Sequence, residues 1–146
     1  MGSEMCIRDR LINKISKNPV LKSTDAIIAI DARGFIFGAA IAFQSSKPMV
    51  VARKPGKLPG EIIEKNYTLE YGLNSLSIQK SALNKYNSYA IVDDLLATGG
   101  TLKCAEELIS EVGGNVVLTG VAIELNALKG REKIKSNCFS ILNYDW

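Results

Sequence analysis

Apolar runs about the length of a strand alternate with helical spacings along this chain. Residues 26–30, AIIAI, are unbroken in their apolarity and predict a buried strand that ends at Asp31. Residues 35–43 predict a helix, and Gly34 and Gly38, four apart, suit its close packing. Lys47-Pro48 marks a turn and 49–52 the next strand. Such a strand–helix–strand unit implies parallel pairing through a right-handed crossover. Residues 54–60, KPGKLPG, hold two prolines and two glycines and exclude a regular element. Residues 67–71 and 76–79 alternate and predict a hairpin turning around 72–75. Residues 89–92 read as a strand. Leu102, Ala105, Leu108, Ile109 and Val112 then recur at helical spacing, and Gly113-Gly114 stops that helix. A long strand is expected over 116–125, a charged helical connection over 129–135 and a short strand over 139–142. This alternation predicts an α/β fold with a mainly parallel sheet flanked by helices. At the start, residues 1–10, MGSEMCIRDR, predict no element and read as a non-native or disordered segment. Residues 11–17 suggest a helix striped by Leu11, Ile12 and Ile15 and broken at Asn18-Pro19. Residues 11–146 read as a single domain.

The chemistry concentrates where the strand at 89–92 ends. Residues 90–101 read AIVDDLLATGGT. Asp93 and Asp94 fall at the carboxyl end of the strand, where open α/β sheets bind ligands. Ala97, Thr98, Gly99, Gly100 and Thr101 form a loop of small side chains. Its N–H groups can converge on an anion, and the helix N-terminus behind adds partial positive charge. Phosphate on the loop and carboxylates toward sugar hydroxyls together describe a ribose 5-phosphate site. Neither a Walker A sequence nor a GxGxxG fingerprint occurs.

The segment Val92-Asp93-Asp94-Leu95-Leu96-Ala97-Thr98-Gly99-Gly100-Thr101 resembles the 5-phosphoribosyl 1-pyrophosphate (PRPP) motif of type I phosphoribosyltransferases. Three further segments narrow the resemblance to adenine phosphoribosyltransferase: Asp31-Ala32-Arg33-Gly34-Phe35, RKPGKLPG beginning at Arg53, and YTLEYG beginning at Tyr67. The resemblance implies a twisted, mainly parallel sheet with a β-hairpin lid. It implies the conversion of adenine and PRPP to AMP and pyrophosphate, with Mg²⁺ held by pyrophosphate and water rather than by protein ligands. It also implies a homodimer.

Roles follow residue by residue from that resemblance. Asp93 and Asp94 accept hydrogen bonds from the ribose hydroxyls and favour an oxocarbenium-like sugar by their charge. Residues 97–101 hold the 5-phosphate. Ala32 and Arg33 meet the pyrophosphate, Arg33 through its forked guanidinium, and a non-proline cis peptide is expected beside Ala32. Arg53, Lys54 and Lys57 form a cationic lid over the phosphates. Glu70 is the acid–base candidate for the N9 proton of adenine, and Tyr71 covers the ribose.

Composition adds limits. At 146 residues, 47% hydrophobic and 23% charged, the chain carries one ordinary core. A net charge of +3 argues for no nucleic-acid partner. The three cysteines, Cys6, Cys104 and Cys138, make no disulfide framework and suit a reducing, cytoplasmic setting. No run approaches membrane-spanning length and no secretory signal is expected. The absence of histidine excludes Ser-His and Cys-His catalysis and histidine-ligated metals. Other readings are a hypoxanthine or xanthine enzyme, a PRPP-binding regulator of nucleic acid, and an impaired, N-terminally truncated homologue. The Pro-Gly turn and Phe-Arg-Asp run that the family carries ahead of its first core strand find only a faint echo in Ile7-Arg8-Asp9. The adenine side is therefore expected to be weaker than the PRPP side.

Overall fold

In the computed structural model, which describes residues 3–69 and 72–145, the predicted alternation becomes four helices and seven strands among the described residues. In chain order they are α1 (Ser3–Ser16), β1 (Ala26–Ile30), α2 (Gly34–Ser45), β2 (Met49–Ala52), β3 (Ile62–Leu69), β4 (Gly72–Gln79), α3 (Lys80–Lys85), β5 (Ser88–Leu96), α4 (Gly100–Glu111), β6 (Asn115–Leu125) and β7 (Asn137–Tyr144). Five strands pair in parallel in the order β2-β1-β5-β6-β7, while β3 and β4 form a separate antiparallel hairpin.

The unbroken apolarity of β1 has a simple cause. All five of its residues are buried, because helices or the hairpin cover both faces of the sheet. Ala26, Ile28 and Ile30 join a core with α4 and the hairpin. Ile27 joins the opposite core with Leu11 and Ile15 of α1 and with Ile41 and Ala42 of α2. Asp25 fixes the start of the central pair: its Oδ2 accepts the N–H groups of Asn87 and Ser88 at 2.9 and 3.1 Å.

Several boundaries correct the sequence expectation. Residues 3–10, expected to form no element, belong to α1; the stripe of Leu11 and Ile15 extends back to Ile7, packed on the same core. The helix ends at Ser16, and Asn18 caps the following 3-10 turn by accepting the Val20 N–H at 3.0 Å. β5 runs past residue 92 to Leu96, because β6 continues beside it after β1 has ended. Leu69 pairs with Gly72, so residues 72–75, expected as the hairpin turn, belong to β4. α3 was not foreseen; its six residues span less than two turns and show no clear period. The charged connection at 129–135 contains a short 3-10 turn at Gly130–Lys133, and another precedes it at Asn126–Leu128.

Gly38 serves the close packing expected of it. A Cβ there would sit 2.5 Å from the Ala29 Cβ on β1. Gly38→Ala should therefore destabilise the protein by about 1–3 kcal/mol through overpacking. Helix propensity alone would raise stability by up to about 1 kcal/mol, so the sign of the shift in a urea midpoint separates the two effects.

Candidate active site

β1 and β5 are neighbours, but their crossovers leave in opposite directions: β1 leads through α2 to β2, and β5 through α4 to β6. The loops after the two strands therefore diverge and leave a crevice at the sheet's carboxyl edge. A cavity of about 580 Å³ opens there. It is lined by Asp31, Ala32 and Arg33 after β1, by Arg53, Lys54 and Lys57 after β2, and by Asp93, Asp94 and residues 97–101 after β5. Tyr67, Asn74 and Ser75 of the hairpin complete the wall. Glu70 and Tyr71 lie outside the described residues. None of the described residues of α1 lines the cavity.

On the β1 side, the Asp31-Ala32 peptide is cis. α2 starts immediately afterwards at Gly34, where a Cβ would lie 2.9 Å from the Val92 carbonyl oxygen and 3.1 Å from Asp93 Oδ1. The small residue thus lets the helix N-terminus approach the acidic pair. Arg53 donates from Nε to Asp31 Oδ2 at 2.9 Å and from Nη1 to the Lys57 carbonyl at 3.3 Å. One guanidinium therefore ties the KPGKLPG loop to the end of β1. The exposed Lys54 and Lys57 stand at the cavity wall.

Asp93 and Asp94 are adjacent on β5, yet both line the cavity. Asp93 Oδ1 accepts the Asp94 N–H at 2.8 Å, and Asp94 Oδ2 accepts from Arg33 Nε at 2.7 Å. Burial, reinforced by hydrogen bonding to the Asp94 carboxyl and by its charge, pushes the Asp93 carboxyl well above the usual carboxylate range. The Asp94 N–H and the Arg33 guanidinium pull more weakly in the other direction.

The loop after Leu96 leads directly into α4. Gly99 takes a left-handed conformation, φ 86°, which glycine adopts without the Cβ penalty of other residues. Its carbonyl accepts the Lys103 N–H at 2.9 Å, so the first helical turn closes onto it. The N–H groups that open α4 have no partner within the helix, and the helix dipole adds to their attraction for an anion. Tyr67 of β3 reaches this loop, its hydroxyl 3.1 Å from Thr101 Oγ1. The hairpin is further held to α4 by Lys65, 2.5 Å from Glu111 and 3.6 Å from Glu107. Its other strand pairs with Arg53 through Ser77. Sequence reading gave Tyr67 no role at the site. The signal was present in the alternation of β3, which turns Ile63 and Tyr67 toward the core beside α4.

A parallel sheet, a small-residue anion loop and a paired acid thus meet at one switch point. The phosphoribosyl transferase domain matches residues 5–146. Over 125 residues the chain is 62% identical to an adenine phosphoribosyltransferase of Prochlorococcus marinus, covering 86% of this chain and 73% of that protein. The fold superposes on the adenine phosphoribosyltransferase of Thermoanaerobacter pseudethanolicus with a TM-score of 0.83 at 40% identity, covering 94% of this chain and 80% of that one. It also matches the Trypanosoma brucei enzyme in complex with AMP, pyrophosphate and ribose-5-phosphate, with a TM-score of 0.81 at 26% identity, covering 95% and 63% of the two chains. The chain belongs to the adenine phosphoribosyltransferase family.

The position of Asp93 generates a pH dependence. A carboxyl whose pKa rises on folding holds its proton more tightly in the folded state. The stability it contributes is fully present below its ordinary value of 3.8 and is lost as pH rises through the raised one. Asp93→Asn cannot ionise. It should leave Tm close to wild type near pH 4 and raise it above wild type near pH 9, read by calorimetry without ligand. A difference that does not grow with pH would show that Asp93 titrates normally.

Proposed function

We propose that the protein transfers the 5-phosphoribosyl group of PRPP to N9 of adenine, releasing AMP and pyrophosphate. The observation that carries this reading is the meeting of the anion loop and the acidic pair in one cavity walled by Arg33, Arg53, Lys54 and Lys57. The 5-phosphate seats on residues 97–101, and the ribose hydroxyls donate to Asp93 and Asp94. The pyrophosphate faces Ala32, Arg33 and the basic loop. As the bond from C1 to pyrophosphate oxygen breaks, positive charge grows on the sugar; the Asp94 carboxylate favours it, and Asp93 does so once it has given up the proton that burial favours. The N9–C1 bond forms, and Glu70 takes the N9 proton. Closure of the basic loop and hairpin keeps water from the activated sugar. The ligands held by the Trypanosoma brucei neighbour support this set of substrates and products.

Mg²⁺ belongs to the proposal. The cavity offers the hard carboxylate oxygens of Asp93 and Asp94 that such a cation favours. Pyrophosphate and water would be its main ligands. When bound it would neutralise charge on the leaving pyrophosphate.

A homodimer and a cytoplasmic setting complete the reading. α2 turns Ile36 and Phe43 outward, 63% and 90% exposed, on a helix that is almost wholly apolar, and such a face suits a second copy of the chain. Cys104 and Cys138 are free thiols, in keeping with a reducing compartment. Among the described residues no helix is long and apolar enough to cross a membrane.

Labelled adenine with PRPP and Mg²⁺ should yield AMP, and competition with hypoxanthine and xanthine should leave adenine preferred. Replacing both Asp93 and Asp94 with Asn should lower kcat by about a hundredfold or more; near-normal turnover would sink their assigned role. Phe43→Glu should shift the protein from dimer to monomer in sedimentation velocity, and an unchanged dimer would move the interface elsewhere.

A further inference from the structure

We propose that the turn at Gly130, clamped to the sheet by Arg131, positions the phosphate-binding loop; this rests on the functional reading above. Gly130 is buried and lies outside the cavity wall, in the connection between β6 and β7. Its backbone presses directly on the back of the loop. A Cβ on Gly99 would sit 2.6 Å from the Gly130 carbonyl oxygen. A Cβ on Gly130 would sit 2.3 Å from the Ala97 carbonyl oxygen and 3.0 Å from the Gly99 nitrogen. Two glycines thus allow two backbones to touch. Any side chain at 130 must push residues 97–99 toward the space assigned to the 5-phosphate.

The turn is itself held. Arg131 donates from Nε to both oxygens of Glu124, at 3.2 and 3.1 Å, and from Nη2 to Oε1 at 2.6 Å. Its Nη1 donates to the Cys138 carbonyl on β7. Glu124 is 6% exposed and also accepts from Ser140 Oγ at 2.9 Å. In the sheet Glu124 pairs with Leu96, the last residue of β5 before the loop. One guanidinium fork therefore binds the turn to β6, the strand paired with β5 beside the loop, and to β7. The Glu124 carboxyl lies below its usual range, chiefly because Arg131 donates to it. Gly130 and Arg131 do not touch the ligand in this arrangement; they act through the loop's N–H directions, so they are positioning residues.

Gly130→Ala should raise the KM for PRPP and the Kd for ribose 5-phosphate by on the order of tenfold to a hundredfold, with the adenine KM nearly unchanged. Arg131→Lys keeps the charge but loses the fork, so it should show the same split at smaller size, and Arg131→Met a larger one. Thermal unfolding is followed in each variant, and direct calorimetry with ribose 5-phosphate accompanies the kinetics. A folded Gly130→Ala protein with wild-type PRPP and ribose 5-phosphate affinity would overturn the proposal. So would losses that fall equally on adenine and PRPP and track the folded fraction. If Gly130→Ala does not fold, the Arg131 pair decides by the same split. A wild-type protein that binds neither PRPP nor ribose 5-phosphate would instead overturn the functional reading.

Discussion

The pairing of β1 with β5 is the constraint on which the site depends. Its register, Ala26 with Tyr89 through Ala29 with Val92, stops one residue short of the acidic pair. Beyond that point β5 keeps β6 on one side and has lost β1 on the other. The freed edge receives the N-terminus of α2, admitted by the missing side chain of Gly34. Sliding the register by one residue would exchange the two faces of a buried strand. It would also move Asp93 relative to Arg33. The Asp25 carboxylate that ties residues 87 and 88 to the start of β1 therefore contributes to the site from the far end of the sheet.

Charge in the crevice is arranged in exchangeable pairs. Arg33 holds Asp94 and Arg53 holds Asp31, each through one short contact in a partly solvated setting. Such pairs stabilise the fold weakly, and a polyanionic substrate with hydroxyl donors offers each partner a replacement. In the proposed reaction the arginines turn to phosphate oxygens and the freed Asp94 carboxylate turns to the sugar. The Glu124–Arg131 pair differs in kind. It is multiply bonded, its carboxylate is almost fully buried, and removing one partner would leave a charge without compensation. The former pairs suit exchange with a ligand and the latter suits a fixed support.

The sequence disclosed features whose cause is local. β1 and β2 lie on their expected residues because a short apolar run between turn signals has few alternatives. The two-glycine loop and the acidic pair were legible for the same reason: their spacing is itself the geometry. What escaped depends on distant partners. β5 is extended by β6, so its end could not be read from residues 89–92. α1 starts at Ser3 because distant strands and α2 cover the stripe that ends in Ile15. Gly130 looked like part of a charged connection, since its neighbour across the backbone is Gly99, thirty-one residues away in the sequence.

The two sides of the crevice are built from different materials, and this bears on how the site divides its work. The side assigned to phosphate and ribose consists of backbone N–H groups and strand carboxylates backed by the sheet, α4 and the Gly130 turn. Its geometry is largely formed before any ligand arrives, which limits the reorganisation that binding requires. The opposite side consists of the irregular RKPGKLPG segment and a hairpin that is not part of the main sheet. These two are joined to each other through Arg53 and Ser77, and to the anion loop through Tyr67 and Thr101. A phosphate seated on the loop competes for the hydroxyl that Tyr67 now holds. Its arrival would therefore be felt first by β3, the strand that Tyr67 joins to the anion loop.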